Sequence, residues 1–473
     1  MALELRPVCE RCSAVLAPDG EARICSFECT FCAPCADQLG GVCPNCGGEL
    51  VARPEADHGM SRRLDGGSHA GVGSTEPAIS EGAGLAGAGA GAGAEVPALP
   101  VPERGTSGSA RHLYVHLPFC AHRCGYCDFV TVVGRGEQHG GYVDALLQEL
   151  ELERGVLAPE LETIFLGGGT PTFTALPELV RLLESLPPAA DVTVEANPET
   201  VTPELARALR AASVTRVSLG AQTFQPELLR VLERVAGPDD VRRAVHHLRD
   251  AQFDNISLDL IYGIPGQSSA DLAADLGAAL ALEPEHLSCY ELEAKPGTRF
   301  THAWGEELKR QADAMEDYFE RVVATLTGAG YRWYETANFC RVDSARDLRS
   351  QHNLAYWLGR DYLGIGIGAV STIDTRRWRN APRLGRYLEA LAAGCVPERE
   401  LEDVGGDIKA RERVMLGLRL DEPLPLDGLR HALDPAGLAR VEGLGLAERS
   451  AETLALTERG RYLGGAVTAE LLA

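Results

Sequence analysis

The feature that most constrains this chain is a group of three cysteines, Cys120, Cys124 and Cys127, which directly follows a predicted strand. A [4Fe–4S] cube is usually held by four thiolates. Three thiolates in one loop bind three of the irons and leave the fourth iron open to a further ligand. A zinc loop is the rival interpretation, but the position of the loop between two predicted strands disfavours it. The motif therefore predicts a [4Fe–4S] cluster with one open iron.

Around this loop, six apolar runs alternate with helical patterns, as expected for βαβ units in a parallel sheet. Several of the runs end in glycines or polar residues. Since parallel α/β sheets carry their sites at the C-terminal ends of the strands, we expect those residues to converge on one face. The runs are Leu113–Leu117, Thr163–Leu166, Asp191–Ala196, Arg216–Leu219, Ile256–Ile261 and His286–Leu292, and the helical patterns include Tyr142–Arg154, Pro203–Ala212, Asp239–Ala251 and Ala270–Leu282.

One of these stretches, residues 167–171, follows the second strand with three consecutive glycines. Glycine lets backbone amides and carbonyls approach a ligand closely. A tight turn explains such a stretch equally well when it stands alone. Because it comes one βα unit after the cysteine loop, we interpret it as a cradle for the methionine amino group of S-adenosylmethionine (SAM), the ligand of the open iron.

A second cysteine-rich region occupies residues 1–52, and it holds eight of the 14 cysteines. Their paired spacing suits two tetrahedral zinc sites, and so short a segment needs metal for stability. A ferredoxin-like cluster is the rival. The segment also resembles a small bacterial cysteine-rich domain without an assigned function, so protein docking and metal sensing are both open roles. A cross-braced arrangement assigns one ion to Cys9, Cys12, Cys32 and Cys35 and the other to Cys25, Cys29, Cys43 and Cys46.

The rest of the chain divides by composition. Residues 53–110 are rich in Gly, Ala, Ser and Pro and are expected to form a disordered linker. Residues 111–300 carry the predicted barrel strands. Residues 301–403 form a further region with a helical stretch at Glu306–Thr327 and a strand at Tyr331–Thr336. The order of helices and strands in 404–473 suits a winged-helix-like α+β tail.

The net charge of −23 disfavours nucleic acid as a partner, since an acidic surface repels phosphates. No apolar run approaches the roughly 18 residues that a transmembrane helix needs, so no integral membrane segment is expected. The N-terminus lacks the apolar stretch of a signal peptide. Cysteine clusters of this kind are typical of metal ligands in a reducing compartment, and we therefore expect a cytoplasmic protein.

From Arg111 to the C-terminus, the motifs and their order resemble those of the oxygen-independent coproporphyrinogen III oxidase family of radical-SAM proteins. The resemblance implies a partial (β/α)6 barrel, in agreement with the six predicted strands, and it places Tyr126 beside the cluster. Taken singly, each further site residue would be an ordinary strand, cap or helix residue. Taken together, these residues match the SAM-binding positions of the family. The resemblance therefore implies SAM contacts by Tyr114, Gly168, Gly169, Thr170, Glu195, Gln222, Arg234 and Asp259.

This family has an oxidase branch and a heme-chaperone branch, and the chain resembles the second. The oxidase branch has a further cysteine two residues after the third ligand, where this chain has Phe129. Val370 departs from the chaperone pattern, which has a histidine at that position. The chaperone branch also carries a His-Asn-x-x-Tyr-Trp motif, present here as His352, Asn353, Tyr356 and Trp357.

The resemblance implies a chaperone that binds heme and transfers it to recipient heme proteins, as a monomer or a homodimer. His352 is suited to be an axial ligand of heme iron. From spacing alone, a satisfied core histidine with packed aromatics is the alternative. A second hypothesis is a coproporphyrinogen III dehydrogenase, in which a 5′-deoxyadenosyl radical starts the oxidative decarboxylation of propionate side chains. Radical-SAM chemistry on another substrate is a third.

Overall fold

The computed structural model describes residues 9, 11–12, 14–16, 21–24, 30–41, 43, 49–52, 110–293 and 299–472. The predicted linker, apart from its last residue, lies outside these ranges, as do Cys25, Cys29 and Cys46. Near the N-terminus, short elements pack around the buried Phe31: β1 (Ala22–Ile24), β2 (Thr30–Cys32), α1 (Ala33–Gln38) and β3 (Val51–Ala52). The three strands form an antiparallel sheet in the order β2-β1-β3.

Six parallel strands with helices between them form the centre of the fold, and they correspond to the six predicted runs. In chain order the elements are β4 (His112–Leu117), β5 (Phe119–Cys120), β6 (Val132–Val133), α2 (His139–Glu153), β7 (Leu161–Gly168), α3 (Leu176–Ser185), β8 (Ala189–Ala196), α4 (Pro203–Ala211), β9 (Arg216–Gln222), α5 (Pro226–Val231), α6 (Pro238–Asp250), β10 (Ile256–Tyr262), α7 (Ser269–Leu280) and β11 (His286–Glu291). The six long strands lie in the order β11-β10-β9-β8-β7-β4, and every neighbouring pair is parallel. The predicted partial barrel is therefore confirmed.

Residues along each barrel strand alternate between an apolar outer face and a largely polar inner face. On β4, Leu113, Val115 and Leu117 are fully buried in the layer between sheet and helices. On β9 and β10, Ser218 and Asp259 point into the barrel and line a cavity there. The hydrophobic core thus lies outside the strands, and the interior is left to polar side chains.

Further strands extend this sheet on both sides. The elements are α8 (Arg299–Gln311), α9 (Met315–Gly328), β12 (Tyr331–Glu335), β13 (Asn338–Arg341), α10 (Gln351–Trp357), β14 (Tyr362–Ile365), β15 (Val370–Ile373), β16 (Arg376–Asn380), α11 (Leu384–Ala392) and β17 (Arg399–Asp403). The predicted helical stretch at 306–327 is divided by a 3-10 turn at Ala312–Ala314, and the predicted strand at 331–336 is β12. Within the described ranges the sheet has twelve strands, with β13 and β12 beyond β11 and with β14 to β17 beyond β4.

The short helix α10 closes the N-terminal end of the barrel. Arg216 Nη1, at the start of β9, donates to Leu348 O at 3.3 Å, and Ser350 N donates to Tyr334 Oη at 3.1 Å. Tyr334 Oη also lies 2.8 Å from His286 Nε2 on β11. These bonds hold the start of α10 beneath the strands. We call this end of the barrel the floor, and the opposite end, which carries the cysteine loop, the mouth.

The tail has a small core of its own around the fully buried Leu454. Its strands form an antiparallel sheet in the order β18-β20-β19, and two carboxylates connect it to β12: Arg332 donates to Asp421 at 2.7 and 2.8 Å, and Arg419 Nε donates to Glu335 at 2.7 Å. Its winged-helix-like character stays a prediction. The elements are α12 (Gly406–Gly417), β18 (Leu424–Pro425), α13 (Pro435–Gly443), β19 (Ala447–Arg449), β20 (Thr453–Leu456), α14 (Glu458–Tyr462) and α15 (Gly464–Leu471). None of the helices in the described ranges is long and apolar enough to cross a bilayer.

Candidate functional site

The three cysteines of the predicted cluster share one loop at the mouth, which begins at the end of β5. Cys127 N donates to Cys124 O at 3.2 Å, and Arg123 Nη2 donates to Cys127 O at 3.2 Å, so the loop folds back on itself. Gly134 N donates to Cys120 O at 2.8 Å and anchors the start of the loop to its end. The three thiols are thereby held on one short, internally bonded segment.

A series of side-chain hydrogen bonds joins two of these thiols across the mouth. Arg234 Nη1 donates to Cys124 Sγ at 3.6 Å, and Arg234 Nη2 donates to Asn197 Oδ1 at 2.9 Å. Asn197 Nδ2 donates to Thr170 Oγ1 at 3.1 Å, and that hydroxyl lies 3.4 Å from Cys120 Sγ. We call these five residues the mouth network. The sequence places Asn197 in a polar stretch at the end of a barrel strand that is expected to converge on this face, but it does not identify Asn197 as a site residue.

The electrostatics of the loop suit a bound cluster. Burial raises the pKa of Cys120, and it raises the pKa of Cys127 to about 11. Thiolates at these positions therefore need a positive partner close by. Coordinated iron supplies one, because a metal deprotonates the thiol that binds it. Three thiols on one loop, with the Arg234 guanidinium beside Cys124, are a donor set that fits a [4Fe–4S] cluster.

The glycine stretch after β7 lies directly against this loop. Gly168 has a φ of +116°, which side-chain-bearing residues rarely adopt, and its N–H donates to Glu195 Oε2 at 3.2 Å. A Cβ on Gly169 would lie 2.4 Å from Pro118 O and 3.0 Å from Cys120 Sγ. Glycine is therefore needed at 168 for the backbone conformation and at 169 for the close approach of the cysteine loop.

A cavity of about 210 Å³ occupies the barrel interior between mouth and floor. Four of the residues predicted to contact SAM line it, namely Tyr114, Gly168, Glu195 and Asp259. Of the other predicted SAM contacts, Thr170 and Arg234 belong to the mouth network, whereas Gly169 directly follows β7 and Gln222 ends β9. The full lining is Tyr114, Phe129, Phe165, Gly168, Glu195, Arg216, Ser218, Asp259, His286, Ser288, Tyr290, Ser350 and Asn353.

Two carboxyl groups give the cavity its electrostatic character. Burial and the nearby charge of Asp259 raise the pKa of Glu195 to about 8. Burial also raises the pKa of Asp259, against the effect of the Ser218 hydroxyl, which donates to both carboxylate oxygens at 3.0 and 3.2 Å. Near neutral pH, Glu195 is therefore mainly protonated and able to donate a hydrogen bond to a ligand.

Tyr114 is held by a histidine whose tautomer can be assigned. His116 Nε2 lies 2.8 Å from Val130 O, which only accepts, so this nitrogen carries the hydrogen. His116 Nδ1 is then the acceptor for the Tyr114 hydroxyl at 3.1 Å. Burial lowers the pKa of His116 to about 4, so the ring stays neutral at pH 7. Sequence reasoning misses His116 as the group that orients Tyr114.

Two further predicted residues lie near the mouth. Gln222, at the end of β9, has a φ of +64°, a conformation that is strained for a non-glycine residue and is often found at functional sites. Tyr126 lies within the cysteine loop and packs edge to face against Phe300, with ring centroids 6.5 Å apart. Both positions are compatible with the SAM and cluster contacts expected from the sequence.

His352 lies at the floor, at the opposite end of the barrel from the cysteine loop. Its Nδ1 is 2.7 Å from Thr163 Oγ1, its Nε2 is 2.8 Å from Tyr356 Oη, and the residue is 2% exposed. Thr163 Oγ1 also lies 2.9 Å from His112 Nδ1. Burial lowers the pKa of His352 to about 3. Both ring nitrogens are hydrogen-bonded, so His352 reaches heme iron only if one of these bonds breaks.

The other three residues of the motif separate into two groups. Asn353 lines the cavity, whereas the Tyr356 hydroxyl is engaged by His352. Trp357 lies away from the cavity, with the Arg419 guanidinium 4.6 Å from its ring centroid. The motif therefore offers the cavity one side chain, the amide of Asn353.

The N-terminal region brings together one of the two predicted cysteine sets. The sulfur atoms of Cys9, Cys12, Cys32 and Cys35 all lie within 4.8 Å of one another, and Cys12 Sγ is 3.8 Å from Cys32 Sγ. This is the set that the cross-braced arrangement predicts. Of the second predicted set, only the buried Cys43 falls within the described residues.

A partial (β/α)6 barrel with three loop cysteines at its mouth is the structure of a radical-SAM protein. The profile of the Radical SAM superfamily matches residues 114–278. The profile of a family of proteins of unknown function, DUF1272, matches residues 2–56. Membership of the superfamily implies a [4Fe–4S] cluster and SAM as cofactors, in agreement with the cysteine loop and the glycine stretch.

Relatives along most of the chain identify the family. The heme chaperone HemW of Mycobacterium tuberculosis is 38% identical over 396 residues, which covers 80% of this chain and 98% of that protein. The heme chaperone HemW of Bacillus subtilis is 34% identical over 376 residues, covering 75% and 97%. The structure of coproporphyrinogen III oxidase (HemN) from Escherichia coli, a radical SAM enzyme, matches with a TM-score of 0.66 at 25% identity, covering 77% of this chain and 90% of that one. The chain belongs to the HemW family.

Proposed function

We propose that this protein is a heme chaperone that carries a [4Fe–4S] cluster and SAM and passes heme to recipient heme proteins. The relatives that match nearly their whole length are called heme chaperones. The observation that carries the choice within the superfamily is Phe129, which occupies the position of the oxidase branch's additional cysteine and lines the mouth of the cavity. The cytoplasm remains the expected compartment.

The residues of the chain have distinct tasks in this proposal. Cys120, Cys124 and Cys127 hold the cluster, and the Arg234 guanidinium balances the charge of the thiolates. Cluster and SAM, when bound, supply one-electron chemistry. Tyr114, Glu195 and Asp259 orient SAM from within the barrel. Gly168 and Gly169 allow the cysteine loop and the glycine stretch to lie close to the methionine part of SAM. Thr170, Gln222 and Arg234 complete the contacts with SAM.

The test is a comparison of heme binding with turnover in anaerobically reconstituted protein. We expect one heme per chain in a titration followed at the Soret band, and transfer of that heme to an added apo heme protein. We expect no conversion of coproporphyrinogen III in the presence of SAM and a reductant. A wild-type protein that binds no heme contradicts the proposal.

The enzyme remains the second candidate, because the fold matches that of coproporphyrinogen III oxidase and the SAM-site residues are present. It predicts SAM-dependent formation of protoporphyrinogen IX in the same incubation. Product analysis decides between the two candidates.

We also propose that Cys9, Cys12, Cys32 and Cys35 hold one zinc ion. Four thiolates around zinc at about 2.3 Å form a tetrahedron with sulfur–sulfur edges of about 3.8 Å. The distance between Cys12 and Cys32 agrees with that edge. A ferredoxin-like cube spreads its thiolates over four separate irons, so its sulfurs lie farther apart than these. The second ion, on Cys25, Cys29, Cys43 and Cys46, stays a prediction.

Elemental analysis of the full chain tests this assignment. We expect zinc to remain after the [4Fe–4S] cluster has been oxidatively removed, and we expect Cys12→Ser to lower the zinc content by about one ion per chain. Cys395→Ser, at an exposed cysteine outside both groups, is the control. Iron in place of zinc, or an unchanged zinc content in Cys12→Ser, contradicts the assignment.

A further inference from the structure

We propose that Arg216 and Asn353 form a carboxylate site at the lower end of the barrel cavity, and that this site receives one propionate of the heme held at the His-Asn-x-x-Tyr-Trp motif. The inference rests on the proposed function, because it names the groups that recognise the cargo. It follows from one anomaly of the barrel interior, a buried guanidinium without a negative partner.

Arg216 is the first residue of β9 and is 2% exposed. Its Nη1 donates to Leu348 O at 3.3 Å and to Asn255 Oδ1 at 3.4 Å, and both acceptors are neutral. Within the described part of the chain, neither its Nε nor its Nη2 has a hydrogen-bond partner, and no carboxylate lies at salt-bridge distance. A buried charge without a counter-charge costs free energy. Because one nitrogen makes both structural bonds, the charge itself requires another explanation.

The guanidinium of Arg216 lines the cavity together with a second unpartnered polar group. Asn353, in the first turn of α10, lines the same cavity, and its side-chain amide has no hydrogen-bond partner among the described residues. His286 forms part of the wall beside them. Burial and the charge of Arg216 hold the pKa of His286 well below its ordinary value, so this imidazole is neutral. A forked cation and a free amide are a donor set suited to a carboxylate.

The size and position of the cavity indicate which carboxylate it receives. Its volume of about 210 Å³ is below the roughly 300–1,000 Å³ of pockets that enclose a whole ligand, so it admits a side arm but not a macrocycle. Phe165 lines the cavity and stacks on His352 with ring centroids 5.3 Å apart, so the motif imidazole lies one aromatic layer away. Heme carries its propionates on the edge of the ring. It therefore can place one propionate in the cavity while it is held at the motif.

The carboxylate of SAM belongs to the other end of the barrel. Gly220 O accepts a hydrogen bond from Arg234 Nη2 at 2.9 Å and so marks the level of the mouth network on β9. Arg216 precedes Gly220 by four residues, which is roughly 13 Å along a strand. A SAM molecule whose methionine part lies at the cluster therefore keeps its carboxylate away from Arg216.

The experiment compares heme with its dimethyl ester, whose propionates are uncharged, in full-length, anaerobically reconstituted protein. We expect the wild type to bind the ester about tenfold more weakly than heme, because a charge-assisted hydrogen bond is lost. In Arg216→Gln, which keeps a donor for Leu348 O, the two affinities should lie within about threefold of each other. Asn353→Asp should also remove the preference for heme, because the new carboxylate neutralises Arg216. Each variant is its own reference, since damage to packing weakens both ligands alike.

Arg360→Gln is the matched control. Arg360 is exposed, follows α10, and has no carboxylate partner in the described ranges. This variant should keep the wild-type preference for heme, and Arg216→Lys, which retains the charge, should keep part of it.

Equal binding of heme and ester by the wild type overturns the inference, and so does a preference that survives in Arg216→Gln or disappears in Arg360→Gln. Weaker SAM binding in Arg216→Gln with an unchanged preference for heme assigns the guanidinium to SAM and also overturns it. A wild-type protein without heme affinity contradicts the proposed function instead, so the two failures are distinguishable.

Discussion

The two groups of cysteines in this chain use the same ligand atom in opposite structural settings. In the N-terminal region, four thiols lie within 4.8 Å of one another in a segment whose described strands and helix are two to six residues long. At the barrel mouth, three thiols lie on a loop that is supported by long strands and by the mouth network. With the proposed zinc ion, the metal would stabilise the first region, whereas in the second region the fold itself positions the cysteines that would hold the cluster.

The largest effect is expected from removing one cluster ligand. Cys124→Ala should abolish both the iron content, about four ions per chain in the wild type, and the broad charge-transfer absorption. The thermal midpoint of the barrel should change by only a few degrees, because the core between strands and helices is untouched. Iron analysis and a thermal melt check this, with Cys395→Ala as the matched control. Unfolding of the barrel in Cys124→Ala would contradict the idea that the barrel folds independently of the cluster.

Loss of the other metal should act on folding itself. Cys12→Ser should make residues 1–52 sensitive to proteolysis, while the fragments from residue 110 onward stay resistant. Without its ion the segment has too small a core to remain ordered. Limited proteolysis with mass spectrometry measures this. An N-terminal region that stays protected in Cys12→Ser contradicts the idea that metal stabilises it.

A smaller effect is expected at the floor, where stability comes from the protein alone. Thr163→Val should lower the free energy of unfolding by about 1–3 kcal/mol, because the buried Nδ1 atoms of His112 and His352 lose their shared partner. Cluster content should be unchanged. Thermal melts compare this variant with Thr375→Val, at an exposed threonine. Equal melts for the two variants count against a stabilising role of the floor bonds.

A further effect concerns the pH dependence of stability. The pKa of Glu195 is raised to about 8 in the folded protein, above its ordinary value of about 4.3 in an unfolded chain. The folded state therefore binds the proton more tightly, and this contribution to stability is lost as the pH rises from about 4.3 through 8. Glu195→Gln should flatten the pH dependence of the melting temperature over this range, whereas the exposed Glu184→Gln should not. Parallel curves for Glu195→Gln and the wild type contradict the shifted pKa.

The sequence predicts those parts of the molecule that depend on local pattern. The six parallel strands have apolar alternation and punctuating glycines, and the tight grouping of Cys9, Cys12, Cys32 and Cys35 follows from paired spacing. The strands β14 to β17 are four or five residues long and pair only with one another and β4, so no local pattern reveals them. Tertiary context decides such strands.

The floor could not be predicted for a different reason. The bond between Thr163 and His352 joins residues 189 positions apart, and nothing near either residue indicates the other. The same holds for Asn197 and Arg234, which meet only because two strand ends and a following loop converge at the mouth. Sequence pattern identifies which residues belong to strand ends, whereas the fold determines which of their atoms remain free.

The division of each strand into an apolar outer face and a polar inner face has an evolutionary consequence. Replacement of an inner residue such as Ser218 or Asp259 changes the ligand environment without removing apolar atoms from the core. Mutations inside such a barrel are therefore tolerated more readily than mutations in its outer layer. Such a scaffold can thus take on a different ligand environment through changes at a few inward positions, while its packed exterior stays intact.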